Sequence, residues 1–166
     1  SDADVLEKRV RARLDRLTKP QGSLGMLEEL AVRFAMIRGE EMPSPARKAV
    51  YVFCADHGVT EEGVSAYPSA VTQQMMRNFV DGGAAINVLA RRLEAVATIV
   101  DAGAFGPPVP GVIDRKVGAG TRNFARESAM TLEEARGAID IGVEMANAAA
   151  QASDLVGLGE MGIGNT

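Results

Sequence analysis

The sequence predicts an α/β protein with a parallel sheet flanked by helices. Continuous apolar runs of strand length occur at 49–54 and 96–100, which is typical of strands covered on both faces. A third, weaker run lies at 112–117 and a fourth at 154–158. Helical patterns separate these runs, and such alternation indicates βαβ crossovers. Each run also ends at a turn rich in glycine or aspartate.

Two predicted helices come before the first strand. The first spans 4–17 with apolar residues at helical spacing, and the second follows a Pro and Gly break and runs to about Arg38. The other face of the first helix carries five basic residues, Lys8, Arg9, Arg11, Arg13 and Arg16. That face fits a solvated helix surface or, alternatively, a site for a membrane surface or an anionic ligand.

A proline-punctuated linker then suggests two regions. Residues 1–42 form an N-terminal helical segment of a smaller domain, and residues 43–166 form the first part of a parallel α/β domain. Helices in the second region are predicted at 68–79, 84–93 and 131–151. The last of these opens with Thr131 and Glu134, the pattern of a capping box.

Composition excludes several classes of protein. The 166 residues are 46% apolar and 24% charged, and the mean hydropathy of +0.01 rules out an acidic disordered tail and a membrane span. The net charge of −4 provides no basic field for nucleic acid. We therefore expect small-molecule substrates and neither a nucleic-acid nor a membrane partner.

Cysteine and histidine are too few for disulfides or zinc. Cys54 is the single cysteine and His57 the single histidine. Charges begin at Asp2, where a secretory signal needs an apolar core. The prediction is a cytoplasmic protein with no metal site.

The glycine and aspartate turns place the chemistry at one edge of the sheet. They lie at 55–58, 101–103, 118–121 and 159–162. In an open α/β sheet, ligands bind beyond the carboxyl ends of the strands. The last turn also matches G-x-G-x-x-G over 157–162, but the acidic residue that should follow about 20 positions later is missing. A glycine turn that contacts phosphate and a purely structural turn both fit.

Asp56 and His57 follow the first predicted strand and could form an acid/base pair. Neighbours on an extended chain point to opposite sides, so Asp56 is poorly placed to orient His57, and a hydrogen-bonded loop histidine is the simpler interpretation. Cys54, inside an apolar strand, is expected to be an inert core residue.

Long motifs along the chain resemble one family. They are LDRLTKPQGSLG at 14–25, ADHGV at 55–59, GVSAYP at 63–68, VTQQM at 71–75, GGAAINVLAR at 82–91 and GEMGIGNT at 159–166. Together they are similar to nicotinate mononucleotide:5,6-dimethylbenzimidazole phosphoribosyltransferase.

This resemblance implies an enzyme of cobalamin lower-ligand biosynthesis. It would transfer phosphoribose from nicotinate mononucleotide to a benzimidazole, giving α-ribazole phosphate and nicotinate. It further implies a Rossmann-like sheet, a small domain built from N- and C-terminal segments, a homodimer and no cofactor. The implied benzimidazole-binding residues are Tyr67, Pro68, Gln74 and Met75. The implied phosphate- and ribose-binding residues are Glu160, Met161, Gly162, Ile163, Gly164, Asn165 and Thr166.

The chain differs from this family in its length. Members of the family are about twice as long, and the resemblance places the general-base glutamate and a phosphate-binding lysine in the second half. The sequence therefore matches an N-terminal half with no catalytic residue of its own, expected to be inactive alone. A non-catalytic module for a benzimidazole or nucleotide, or one half of a split enzyme, are the alternatives.

Overall fold

The computed structural model describes residues 1–166 and divides into two compact units, Ser1–Pro45 and Ala46–Thr166. No helix in either unit combines the length and the apolar character needed to cross a bilayer.

The first unit is a pair of helices. Helix α1 spans Asp2–Asp15 and α2 spans Met26–Arg38, and they pack through Val10, Val32 and Ala35. Gly39 ends α2 in the left-handed conformation, with φ of 67°, which glycine adopts without a steric penalty. The leucines that carried the helical pattern of α2, Leu27 and Leu30 among them, are more than half exposed.

Part of the basic face of α1 is paired within this unit. Arg9 forms an ion pair with Glu41, and Arg11 pairs with both Glu7 and Glu29. These arginines are therefore engaged with neighbouring carboxylates, which reduces the charge that the face offers to an anionic ligand.

The second unit is a four-stranded parallel sheet flanked by helices, as predicted. Its strands are β1 (Lys48–Ala55), β2 (Ala95–Gly103), β3 (Ile113–Asp114) and β4 (Leu155–Met161). A short 3₁₀ turn, Gly58–Glu62, follows β1, and the helices are α3 (Ala70–Val80), α4 (Ala85–Arg92) and α5 (Leu132–Ala152). The strand order is β3-β2-β1-β4, and all pairings are parallel.

Side chains of β1 alternate between two hydrophobic cores. Val52 and Cys54 face a core that contains Met76 and Phe79 of α3. The intervening residues, Tyr51 and Phe53, face a second core built on Val100 of β2 and on Ile141 and Met145 of α5. Because both faces are covered, the strand reads as one continuous apolar run rather than an alternating pattern.

Several predicted boundaries were wrong. Strand β2 runs to Gly103, so the turn predicted at 101–103 lies inside it. The third strand is two residues long rather than six. Strand β4 extends to Met161, so Gly159, Glu160 and Met161 lie inside the strand instead of in the predicted turn. Parallel pairing with β1 extends β4 this far, with Gly159 opposite Val52 and Met161 opposite Cys54. Helix α3 begins at Ala70 rather than at Pro68.

The predicted capping box at the start of α5 is present. The Thr131 hydroxyl accepts from the Glu134 amide at 3.1 Å, and the Glu134 carboxylate accepts from the Thr131 amide. Arg122 also donates to Glu134, and this hydrogen bond is the main reason why the pKa of Glu134 falls to about 2. One carboxylate thus fixes both the helix start and the preceding loop.

Glu134 is expected to make stability depend on pH in the acid range. Its lowered pKa stabilises the fold above the ordinary pKa of 4.5, and this contribution is lost as pH falls toward about 2. Glu134→Gln keeps an acceptor for Thr131 but removes the charge. Urea midpoints of the chain and this variant should differ at pH 6 and converge near pH 2. A difference that stayed constant across this range would contradict the assignment.

Candidate active site

The strand order reverses between β1 and β4. The chain runs from β1 outward to β2 and β3 and then crosses to place β4 on the opposite side of β1. Such a switch point opens a crevice beyond the carboxyl ends of the strands. The structure has a cleft of about 400 Å³ here, lined by residues 64–67, which follow β1 and its 3₁₀ turn, and by residues 160–166 at the end of β4.

The loop after β4 is held against the end of β1. Gly162 is buried, and a Cβ on it would overlap the carbonyl oxygen of Ala55. Gly164 has a φ of +90°, and a Cβ there would lie 2.8 Å from a methyl carbon of Thr60. Glycine is required at 162 by close approach and at 164 by backbone conformation.

The same loop is also bonded to α3. The amide of Ile163 donates to Oγ1 of Thr72 at 3.2 Å, and Thr72 is fully buried. Thr72 is not among the predicted site residues, although it lies in the motif at 71–75. The available signal was a hydroxyl residue four and seven positions before Met76 and Phe79, on the apolar face of a helix.

Tyr67 forms part of the opposite wall of the cleft. Its side chain is 66% exposed, and its amide donates to the Ser65 hydroxyl at 3.2 Å. The Thr60 hydroxyl donates to the carbonyl of His57 and contacts the Ser69 hydroxyl at 3.2 Å. These short-range bonds fold the segment between the first strand and α3 into a defined loop.

The other predicted base-binding residues lie outside the lining of this cleft. Pro68 follows Tyr67 and accepts from Val71 through its carbonyl, just before α3. Gln74 is exposed on α3, whereas Met75 is half-buried and packs against the core that contains Met76. Their role in base binding stays a prediction.

Two buried aspartates at the same sheet edge accept hydrogen bonds from backbone amides. Asp101 accepts from the amides of Gly103 and Ala104 at 3.1 and 2.8 Å, and its other oxygen lies 3.3 Å from the ammonium of Lys116. Asp56 accepts from the Phe105 amide at 2.7 Å. The Asp56 carboxylate is therefore directed to the loop after β2 and does not orient His57.

The surroundings of His57 and Cys54 indicate structural roles for both residues. His57 pairs with Thr121 in an isolated parallel bridge, which joins the loop after β1 to the loop after β3. Cys54 is fully buried, and burial raises the pKa of its thiol to about 12, with the nearby carboxylates of Asp101 and Asp56 adding to the effect. A thiol with such a pKa is protonated and unreactive at neutral pH, as expected for a core residue.

A smaller cavity of about 150 Å³ lies on the α5 side of His57, lined in part by Asp56, Gly120 and Thr121. No cluster of three or more His, Cys, Asp or Glu side chains with the geometry to hold a metal ion occurs in residues 1–166.

Comparison with known proteins identifies the family. A family model described as "Phosphoribosyltransferase" matches residues 2–166. The chain belongs to this phosphoribosyltransferase family. It is 54% identical over 169 residues to the nicotinate-nucleotide--dimethylbenzimidazole phosphoribosyltransferase of Geobacter sulfurreducens and 53% identical over 159 residues to that of Pseudomonas putida. These alignments cover 99% and 94% of this chain but 47% and 45% of the relatives.

The fold agrees with that of solved members of the phosphoribosyltransferase family. The crystal structure of CobT from Thermus thermophilus superposes with a TM-score of 0.85 at 48% identity, covering 97% of this chain and 49% of that one. The resemblance stated from the motifs is confirmed. The chain spans about half the length of the relatives it matches.

Proposed function

We propose that this chain supplies one half of an active site that transfers phosphoribose from nicotinate mononucleotide to 5,6-dimethylbenzimidazole. The products would be α-ribazole phosphate and nicotinate, in the assembly of the cobalamin lower ligand. The observation that carries the proposal is the cleft between β1 and β4. Two motif segments about 95 residues apart in sequence, 64–67 and 160–166, line this single cleft at the switch point.

Residues 160–166 are the proposed phosphate and ribose side. Gly162 and Gly164 bring backbone without side chains to the edge of the sheet. The backbone amide of Asn165 donates a hydrogen bond to the carbonyl of Gly162 at 3.2 Å, which closes a tight turn. Successive backbone amides in a tight turn can bind an anion, and a glycine loop lets a phosphate approach closely. The exposed polar side chains of Asn165 and Thr166 complete this wall.

The loop that carries Tyr67 is the proposed base side. A flat, mostly apolar benzimidazole is best bound by an aromatic ring and small apolar contacts, with few polar groups to orient it. Tyr67 supplies an exposed ring, and Val64 and Ala66 supply apolar contacts in the same cleft. We extend the base side to Pro68, Gln74 and Met75 on the strength of the family resemblance.

No catalytic residue is assigned in this chain. The reaction needs a base for the proton of the attacking benzimidazole nitrogen, and developing positive charge at the ribose must be stabilised. Asp56 and Asp101 are buried, each accepts a hydrogen bond from a backbone amide, and neither lines the cleft between β1 and β4. We infer that the base comes from outside these residues, that the chain alone is inactive, and that the complete protein is a cytoplasmic homodimer.

The base side is tested in a full-length chimera in which this chain replaces its matched segment of the Geobacter sulfurreducens relative. Tyr67→Ala should raise the KM for dimethylbenzimidazole about tenfold, because a stacked ring contributes on the order of 1 kcal/mol beyond its buried area. The KM for nicotinate mononucleotide should change less than about twofold.

Tyr67→Phe is the matched control, since it keeps the ring and removes only the hydroxyl. It should retain a nearly unchanged KM for the base. Equal increases for both substrates in Tyr67→Ala would mean that the residue maintains the loop rather than binding the benzimidazole.

A further inference from the structure

We propose that Thr72 is a positioning residue that sets the width of the cleft between β1 and β4. It would do so by holding the loop after β4 against α3. The inference rests on the proposed function, because its consequence is the correct placement of the phosphate and ribose side of the cleft relative to the base side.

Thr72 connects the base side of the cleft with its phosphate and ribose side. It lies in the first turn of α3, five residues after Tyr67, and its hydroxyl accepts the amide of Ile163. Ile163 lies in the middle of the 160–166 segment that lines the cleft. A single buried hydroxyl thus connects the helix that follows the base side to the loop of the phosphate side.

The hydroxyl is not needed for packing. Thr72, Met76 and Phe79 share the buried face of α3 at helical spacing, and this face otherwise carries apolar side chains. Valine has nearly the shape of threonine and would fill the same space, but it offers no acceptor. The half-buried Ile163 amide would then lose its partner, and an unpaired polar group is costly inside a protein.

The hydrogen bond from Ile163 to Thr72 acts together with a contact on the other side of the loop after β4. Gly162 packs on the carbonyl of Ala55 at the end of β1, and the next residue, Ile163, is held by Thr72. The sheet therefore fixes how close the loop lies to β1, and the helix fixes which way it turns toward the cleft. Without the hydroxyl, the loop keeps its contact with β1 but loses its hydrogen bond to α3.

Thr72→Val and Thr72→Ser in the full-length chimera form a matched pair. In Thr72→Val, hydrogen–deuterium exchange in the peptide covering 160–166 should rise by about tenfold, and the KM for nicotinate mononucleotide should rise by a similar factor. Thr72→Ser keeps the hydroxyl, so exchange and KM should both stay within about twofold of the parent.

The outcomes separate this inference from the proposed function. Unchanged exchange in Thr72→Val, or equal losses in Thr72→Val and Thr72→Ser, would overturn the positioning role, since the latter result points to the methyl packing. Faster exchange in Thr72→Val with an unchanged mononucleotide KM would also overturn it. Absence of transfer by the folded parent chimera would instead refute the proposed function, while exchange would still report on the Thr72 bond.

Discussion

Gly162→Ala is expected to raise the KM for nicotinate mononucleotide by well over tenfold in the full-length chimera. A methyl group at this position would overlap the carbonyl oxygen of Ala55, and backbone at the end of a central strand cannot yield easily. The loop must therefore move away from β1. Overpacking of this kind costs on the order of 1–3 kcal/mol, so thermal stability should fall as well.

Gly159→Ala is the control for this substitution. Gly159 lies in β4, three residues before Gly162, and a methyl group there would contact a Val52 methyl carbon at 3.4 Å, an ordinary packing distance. Its KM for the mononucleotide should stay close to that of the parent. If Gly162→Ala bound the mononucleotide as tightly as Gly159→Ala did, the loop after β4 would not belong to the binding site.

Met76→Ala is expected to have the largest effect on stability, about 2–5 kcal/mol. Met76 is fully buried in the core between α3 and the sheet, next to Val52 and Ile99. Removing its thioether leaves a cavity whose walls are parts of the sheet and of two helices, so little collapse can compensate.

Arg77→Ala, on the exposed face of the same helix, provides the comparison and should change stability by less than about 0.5 kcal/mol. Urea unfolding monitored by circular dichroism measures both variants. A small effect at Met76 would mean that α3 is not firmly packed on the sheet, and the placement of Thr72 and Tyr67 would then lose its support.

The main elements of the α/β unit could be predicted because their patterns are local. The run at 49–54 is apolar on both faces, and Thr131 with Glu134 marks a helix start by side-chain chemistry alone. The end of β4 could not be read in the same way. Glycine carries no strand signal, and the pairing of Gly159 with Val52 and of Met161 with Cys54 that extends β4 joins residues far apart in sequence.

The candidate site, like the fold, has a part that local motifs predict and a part that depends on contacts between distant residues. The motifs placed Tyr67 and the 160–166 segment in a ligand site, and the structure brings them to one cleft. The contact of Gly162 with Ala55 and the bond from Ile163 to Thr72 join residues about 90 to 110 positions apart, which no local pattern reveals. Asp56 resembles a catalytic acid in sequence, yet its carboxylate accepts from the backbone amide of Phe105 in the loop after β2.

The central claim is that this chain provides one half of a phosphoribosyl transfer site. It is tested most directly by following nicotinate release from nicotinate mononucleotide in the presence and absence of dimethylbenzimidazole. The full-length chimera should release nicotinate only when the base is present, and the 166-residue chain alone should release none. Base-dependent release by the 166-residue chain alone, or none by a folded chimera, would contradict the account.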